Sequence, residues 1–170
     1  MNEFDARARE WDSNPVHWER SEAIAKDLLE IIPVKPGMKA MEFGAGTGIL
    51  SFLLAGYFSE ITMMDSSLEM VKVMQEKAEV NNLRHLLPVF FDLETEDYSG
   101  KTFDCIYTQM AMHHVTDTEK MVNRFSNMLL PGGWLAIADL YPEDGSFHGE
   151  GFSGHNGFDS EELQNILQRE

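Results

Sequence analysis

The chain has 170 residues, with 13 Lys and Arg against 29 Asp and Glu, which gives a formal net charge of −16. This length suits one domain, residues 1–170, and the acidity argues against nucleic acid and membranes as partners, because phosphates and anionic lipids reward clusters of Lys and Arg. The one cysteine, Cys105, excludes an internal disulfide. Together with the absence of an apolar targeting or membrane-spanning stretch, it predicts a cytoplasmic protein.

The N-terminal part of the chain predicts two segments ahead of the first strand. Residues 1–15 are polar and carry two aromatic residues, Phe4 and Trp11, at near-helical spacing. A proline then breaks the chain, and a helix is expected over Val16–Ile32 because apolar residues recur along one face. Further prolines and a glycine end this helix and lead into a core that we expect over residues 38–170.

A strand, a glycine-rich turn and a helix are predicted at the start of this core. Ala40–Phe43 is typical of a buried strand, and Ile49–Ala55 is typical of the first turns of a helix. Between them stand three glycines at every second position, Gly44, Gly46 and Gly48. Such a unit leaves open backbone beside a helix N-terminus, where a nucleotide-like ligand can approach the chain. Glu42 would repel a pyrophosphate there and attract a cationic ligand.

Strands and helices alternate along the rest of the chain. The predicted strands are Ala40–Phe43, Glu60–Asp65, Leu87–Phe91, Phe103–Gln109 and, after a Pro-Gly-Gly turn at 131–133, Trp134–Leu140. Predicted capping sequences at 66–69, 116–119 and 159–162 begin the helices that follow. This alternation predicts an α/β fold, a Rossmann-like doubly wound parallel sheet with strand order 3-2-1-4-5. A ligand is expected at the carboxyl ends of the strands, where the order reverses.

The turn sequence Glu42-Phe-Gly-Ala-Gly-Thr-Gly48 resembles motif I of the class I S-adenosylmethionine-dependent methyltransferases. The wider chain is similar to their type 11 branch, which includes the quinone-biosynthesis enzymes. The resemblance implies S-adenosyl-L-methionine as the cofactor and a small molecule as the methyl acceptor. In this branch a segment like Phe4–Asp12 forms a lid over the cofactor; the alternative is a frayed terminal helix. The family also has a sixth and a seventh strand.

We expect those two strands to be absent, because the sequence ends at Glu170 before either could form. The fifth strand would then be a bare sheet edge, and an apolar edge pairs readily with another chain. A homodimer formed through this edge is therefore one possible assembly. The alternative is that the final helix and the 142–157 loop cover the edge.

The resemblance also implies where the cofactor is held. Asp65, at the end of the second strand, would accept the ribose hydroxyls, and we prefer this role to helix capping because Ser66 can fill the cap. Asp92 and the backbone of Leu93 would bind adenine, unless Asp92 is an ordinary strand-end residue. Glu42 would face the methionine amine rather than only tie down the loop. The full expected set is Glu42, Gly44, Ala45, Gly46, Asp65, Ser66, Asp92, Leu93 and Gln109.

Two adjacent histidines, His113 and His114, follow the fourth strand, where type 11 enzymes often carry such a pair. They are candidates for the general base that takes a proton from the acceptor, and the alternative is a structural role. His148 and His155 stand in the loop after the fifth strand. Because no His-x₃-His or Cys-rich spacing accompanies them, we expect no metal site.

Two other functions fit parts of this pattern. One is a cofactor-binding protein without catalysis, acting as a sensor or as a subunit of a complex, and only turnover separates it from an enzyme. The other is a nicotinamide-dependent oxidoreductase. Glu42 and the Gly-x-Gly-x-Gly spacing both count against the oxidoreductase.

Overall fold

The computed structural model describes residues 4–149 and 151–169. The α-helices are α1 (Pro15–Ile31), α2 (Ile49–Leu54), α3 (Leu68–Val80), α4 (Thr118–Met128) and α5 (Ser160–Leu167). The strands are β1 (Lys39–Phe43), β2 (Glu60–Asp65), β3 (Leu86–Phe90), β4 (Phe103–Gln109) and β5 (Leu129–Ala138). Two 3-10 helices lie at Asp5–Ser13 and Met112–His114. No helix among the described residues is long and apolar enough to cross a bilayer.

The five strands are all parallel and lie in the order β3-β2-β1-β4-β5, which confirms the predicted fold. Successive side chains of a strand point to opposite faces, and both faces of this sheet are buried. Ala40 belongs to the apolar cluster packed under α1, α2 and α3, whereas its neighbour Met41 belongs to the cluster packed under α4. β1 and β4 are paired neighbours, but β1 leads to α2 on one face and β4 leads towards α4 on the other, so their carboxyl ends are left open to form a site.

Helix α3 begins one residue later than the capping sequence predicts. Its cap is Ser67, whose hydroxyl oxygen accepts a hydrogen bond from the backbone N–H of Met70 at 3.2 Å, so the assignment of Ser66 as the cap is wrong. The cause is Asp65, because its carboxylate accepts the N–H of Ser67 at 2.8 Å. That bond holds Ser67 in the extended conformation that a cap residue needs. Asp159 caps α5 as predicted.

The last strand is longer than predicted. β5 begins at Leu129, and the Pro-Gly-Gly stretch at 131–133 is an irregularity inside it, not a turn before it. Phe103 pairs with Leu129 and Cys105 pairs with Trp134. Between these two pairs β5 therefore contains more residues than β4, as at a β-bulge. Among the described residues no strand pairs with the outer side of β5. Pairing of two copies through this edge stays a prediction.

Hydrogen bonds connect the N-terminal 3-10 helix to the glycine turn and to α3 with its cap. Asp12 accepts hydrogen bonds from Thr47 and, at 2.6 Å, from the ammonium group of Lys77. Nearer the start of the segment, Asp5 accepts a hydrogen bond from the hydroxyl of Ser67 at 2.7 Å. These contacts bring the segment over the carboxyl ends of the strands.

Candidate active site

A cavity of about 650 Å³ opens at the carboxyl ends of the central strands. Its wall consists of the glycine turn after β1, the end of β2, the residues after β3 and β4, and part of the loop at 147–152. Phe4, Arg7 and Trp11 of the N-terminal segment line it from above. The position agrees with the general rule that open parallel sheets bind ligands where the strand order changes.

The glycine turn has the backbone conformation that its sequence predicts. Gly44 and Gly46 have φ values of +65° and +57°, in the left-handed region that side chains disfavour. A Cβ on Gly44 would lie 2.4 Å from the Cβ of Ala111, so this glycine allows the turn after β1 to touch the segment after β4. A Cβ on Gly46 would meet nothing nearer than Trp11 at 3.9 Å, so its backbone is open towards the cavity.

Replacing Gly44 with Ala is expected to destabilise the fold by about 2–5 kcal/mol, the sum of left-handed strain and a steric clash. Gly37→Ala is the matched control, because Gly37 also has a positive φ, +94°, but a Cβ there meets nothing within 4 Å. Urea unfolding of the two variants would separate strain from clash. Equal losses of stability would show that the contact with Ala111 is unimportant.

Asp65 is placed where two hydroxyl groups could reach it. One carboxylate oxygen accepts the N–H of Gly46 at 2.7 Å, and the other accepts the N–H of Ser67 at 2.8 Å. Each oxygen has a further lone pair for a ligand. Burial raises the pKa of Asp65 to about 6, against the opposing effect of these hydrogen bonds. Ser66 lines the cavity next to it.

Glu42 lies at the floor of the cavity and is 2% exposed. It accepts a hydrogen bond from the hydroxyl of Ser51 in α2, which in turn lies 2.8 Å from the hydroxyl of Tyr107. Burial raises the pKa of Glu42 to about 8, and the charge of Asp65 acts in the same direction. Glu42 is therefore mostly protonated at pH 7. Sequence reasoning missed Ser51, and the only signal was a hydroxyl among the apolar residues of this helix.

The residues after β3 only partly match the adenine prediction. Phe91, Leu93 and Glu94 line the cavity, but Asp92 does not. The carboxylate of Asp92 instead accepts the N–H of Glu94 at 3.0 Å. The contact between Asp92 and adenine stays a prediction. Gln109 at the end of β4 also lines the cavity, and its amide donates a hydrogen bond to Ser21 of α1 at 2.9 Å.

His113 is held by a buried carboxylate that sequence analysis did not assign to the site. Its Nδ1 lies 2.6 Å from the carboxylate of Asp139, and the two side chains are 2% and 3% exposed. The same carboxylate accepts the backbone N–H groups of Met112 at 2.9 Å and Leu140 at 2.7 Å. Asp139 follows β5 directly, so a polar residue after an apolar strand was the available signal.

The other histidines divide into two sets. His114 and His148 line the cavity with His113, and the ring centroid of His113 lies 4.2 Å from that of His114 and 4.8 Å from that of His148. Burial lowers the pKa of His114 to about 4, and His113 and His148 lower it further. His155 is not part of this group, since its ring packs against Phe158.

Two arginines line the cavity, Arg7 in the N-terminal segment and Arg20 on α1. Neither guanidinium group has a hydrogen bond or an ion pair with the part of the chain that the structure describes. Arg9, by contrast, forms an ion pair with Glu76 on the protein surface at 2.5 Å. In a chain with a net charge of −16, two cations at a cavity with no carboxylate partner among the described residues are suited to bind an anionic group.

The fold is that of the class I S-adenosylmethionine-dependent methyltransferases, and S-adenosylmethionine is their cofactor. Residues 41–137 match the profile of the type 11 family, described as a methyltransferase domain, and the chain belongs to that family. An uncharacterized methyltransferase of Bacillus cereus is 30% identical over 179 residues, 98% of this chain and 79% of the relative. Another from Schizosaccharomyces pombe is 31% identical over 150 residues, 79% of this chain and 53% of the relative.

The chain thus spans about half the length of the Schizosaccharomyces pombe relative. A phosphoethanolamine N-methyltransferase of Triticum aestivum is 30% identical over 115 residues, and the chain spans only 23% of its length. Among solved structures, the complex between the Haloferax volcanii Trm112 methyltransferase activator and a methyltransferase matches with a TM-score of 0.82 at 21% identity, covering 99% of this chain and 76% of that one. A SAM-dependent methyltransferase from Aquifex aeolicus matches with a TM-score of 0.75 at 20% identity, covering 97% and 86%. At these identities the structures support the fold alone.

Proposed function

We propose that this chain transfers a methyl group from S-adenosylmethionine to a small molecule. The observation that carries the proposal is one cavity that holds two carboxyl groups, the buried Glu42 and the half-buried Asp65, beside the glycine turn and a histidine pair, His113 and His114, in the segment after β4. The bound cofactor supplies a methyl group activated by a positively charged sulfur. The donor set fits this cofactor, because the carboxylates suit its cationic groups and its ribose hydroxyls.

In this proposal each part of the cavity wall holds one part of the cofactor. Asp65 accepts the ribose hydroxyls, Glu42 faces the ammonium group, and the segment from Gly44 through Ala45 to Gly46 presents its backbone. Leu93 faces the adenine, and Asp92, which does not line the cavity, joins it only if its carboxylate turns inward from the N–H of Glu94. The N-terminal 3-10 helix serves as a lid that keeps water from the cofactor, since it already crosses the cavity and is bonded to the glycine turn.

The acceptor proposed here is a small molecule with a carboxylate or a phosphate group. Arg7 and Arg20 support this, because one guanidinium can bind the carboxylate of the cofactor's methionine while the other remains for the acceptor. Some relatives carry the names of small anionic substrates, such as the phosphoethanolamine N-methyltransferases and a trans-aconitate 2-methyltransferase of Deinococcus radiodurans. His113, fixed by Asp139, and His114 then activate the acceptor.

Calorimetric titration with S-adenosylmethionine, S-adenosylhomocysteine and NAD tests the cofactor. We expect both sulfur compounds to bind and NAD not to bind; the reverse order would refute the proposal. A panel of small carboxylates and phosphates, assayed for production of S-adenosylhomocysteine, then tests turnover. Cofactor binding without turnover on any acceptor would favour a sensor or a subunit of a complex.

Binding of S-adenosylmethionine at pH 7 is expected to release up to about one proton per chain. Glu42, with a pKa of about 8, is mostly protonated in the free protein, and a nearby ammonium group favours the ionised form. Calorimetry in two buffers with different ionisation enthalpies measures the release. Glu42→Gln, which has no proton to lose, is the control. Identical binding enthalpies in both buffers for the wild-type protein would contradict the assignment.

A further inference from the structure

We propose that His113, His114 and His148 bind one divalent transition-metal ion of the zinc type. One ring nitrogen from each of the three lies within 4.8 Å of the others, and all three residues line the cavity. Imidazole is a ligand that suits zinc, cobalt, nickel and copper. The sequence analysis expected no metal because it looked for ligands at close spacing, whereas this group joins a pair after β4 to a residue 34 positions further along the chain.

Asp139 gives His113 the environment of a metal-bound histidine. Ligating histidines usually donate their second ring N–H to a carboxylate, which fixes the orientation of the ring and strengthens the ligand. The bond between Nδ1 of His113 and Asp139, at 2.6 Å, is of this kind and is buried. It leaves Nε2 of His113 for the metal. Backbone hydrogen bonds from Met112 and Leu140 fix the carboxylate in turn.

Metal binding requires the three nitrogens to move closer together. Ligands about 2.0–2.1 Å from a tetrahedral zinc ion stand about 3.3–3.4 Å apart, less than the 4.8 Å within which these nitrogens lie. His148 is the member best placed to move, because it stands in a loop with glycines at 145, 149 and 151, all with positive φ. Phe152, which also lines the cavity, stacks on the ring of His148 with the ring centroids 3.9 Å apart, so an apolar side chain packs against the cluster.

Three protein ligands leave a fourth position open, which is the pattern of catalytic rather than structural zinc sites. Because all three histidines line the cavity, a hydroxyl or thiol of the acceptor would be the fourth ligand of a metal held there. The metal would lower the pKa of that group, so that its proton passes to solvent and its lone pair is ready for methylation. In that state the histidines are ligands and not general bases. This role rests on the proposed function, whereas metal binding itself does not.

The direct test is titration of the full chain, first stripped with EDTA, with Zn²⁺ and with Co²⁺ at pH 7.5 in the absence of cofactor. We expect one ion per chain and a dissociation constant below about 1 µM, as for a site with three histidine ligands. Cobalt should also give the visible absorption of a four-coordinate site. Binding weaker than about 1 µM, or only the spectrum of hydrated cobalt, would overturn the proposal.

His148→Ala and His114→Ala are each expected to weaken zinc binding at least about 100-fold, because one of three ligands is lost. His155→Ala is the matched control, since His155 belongs to the same loop but its ring packs against Phe158. The zinc affinity of this variant should stay within about threefold of the wild-type value. Thermal unfolding checks that each variant is folded. Wild-type affinity in both ligand variants would overturn the proposal. Titration of the metal-free wild type with S-adenosylmethionine tests the proposed function separately.

Discussion

Asp65→Ala is expected to weaken binding of S-adenosylmethionine roughly 30- to 1,000-fold, which corresponds to a loss of about 2–4 kcal/mol. The substitution removes the acceptor for both ribose hydroxyls at once. It also removes the partner of the N–H of Gly46, which would release the turn that carries the rest of the cofactor. Calorimetric titration of the variant against the wild-type protein gives the ratio of dissociation constants.

The control for this prediction is Asp104→Ala. Asp104 lies near the start of β4, at the end of the sheet away from the cavity, and its carboxylate also accepts a backbone N–H, that of Lys39 at 2.8 Å. Losing this bond should lower the stability of the fold and leave the cofactor affinity within about threefold of the wild-type value. Asp65→Asn keeps the shape of the side chain, so its cofactor affinity should fall between those of Asp65→Ala and Asp104→Ala. An Asp65→Ala protein that binds within threefold of wild type would remove Asp65 from the cofactor site.

The parts of the fold that sequence alone predicted are those set by local backbone rules. β4 has the predicted bounds, Phe103–Gln109, because an apolar strand between turn residues leaves little choice. The strand order follows from the alternation of strands and helices and from right-handed crossovers. The turn at Gly44 and Gly46 could be predicted because only glycine readily adopts a positive φ, and the structure shows it at both.

The parts that sequence did not predict depend on which segments meet in space. Asp139 comes 26 residues after His113, and nothing in either segment encodes the hydrogen bond between them. The approach of His148 to the same ring depends on how the loop after β5 folds back, which is set in part by the bond from the N–H of His155 to the carbonyl of His113 at 2.7 Å. A search for ligands at fixed spacing cannot detect such a group.

The choice of Ser67 over Ser66 as the cap of α3 shows the same limit at short range. The local capping pattern favours Ser66, because Glu69 stands three residues after it, whereas Met70 stands three residues after Ser67. The side chain of Asp65 bonds to the N–H of Ser67, and Asp5 of the N-terminal segment accepts the hydroxyl of that same serine. The second of these partners is 62 positions away. A long-range contact therefore accompanies a boundary that lies one residue later than the local pattern predicts.

Replacing His113 with Gln is expected to slow methyl transfer by about 10²- to 10⁴-fold while the cofactor affinity changes by less than about threefold. The loss follows whether His113 acts as a base or as a metal ligand, because Gln can neither accept the acceptor's proton nor replace imidazole at a metal. Gln is chosen because its amide can donate a hydrogen bond to Asp139, so that this buried carboxylate is not left unpaired. Single-turnover rates with an acceptor from the panel measure the effect.

His114→Ala distinguishes between the two modes of activation. With its pKa lowered to about 4, His114 is a weak base near neutral pH, so a general-base mechanism through His113 should lose little rate when His114 is removed. If a metal activates the acceptor, His114→Ala should lower the rate nearly as much as His113→Gln does, because one metal ligand is lost. His85→Ala is the control for the loss of a histidine, because its ring bonds to the carbonyl of Ala55 away from the cavity. If His113→Gln lowers the melting temperature and the cofactor affinity as much as it lowers the rate, the histidine pair is structural, and activation of the acceptor must be assigned to other residues of the cavity.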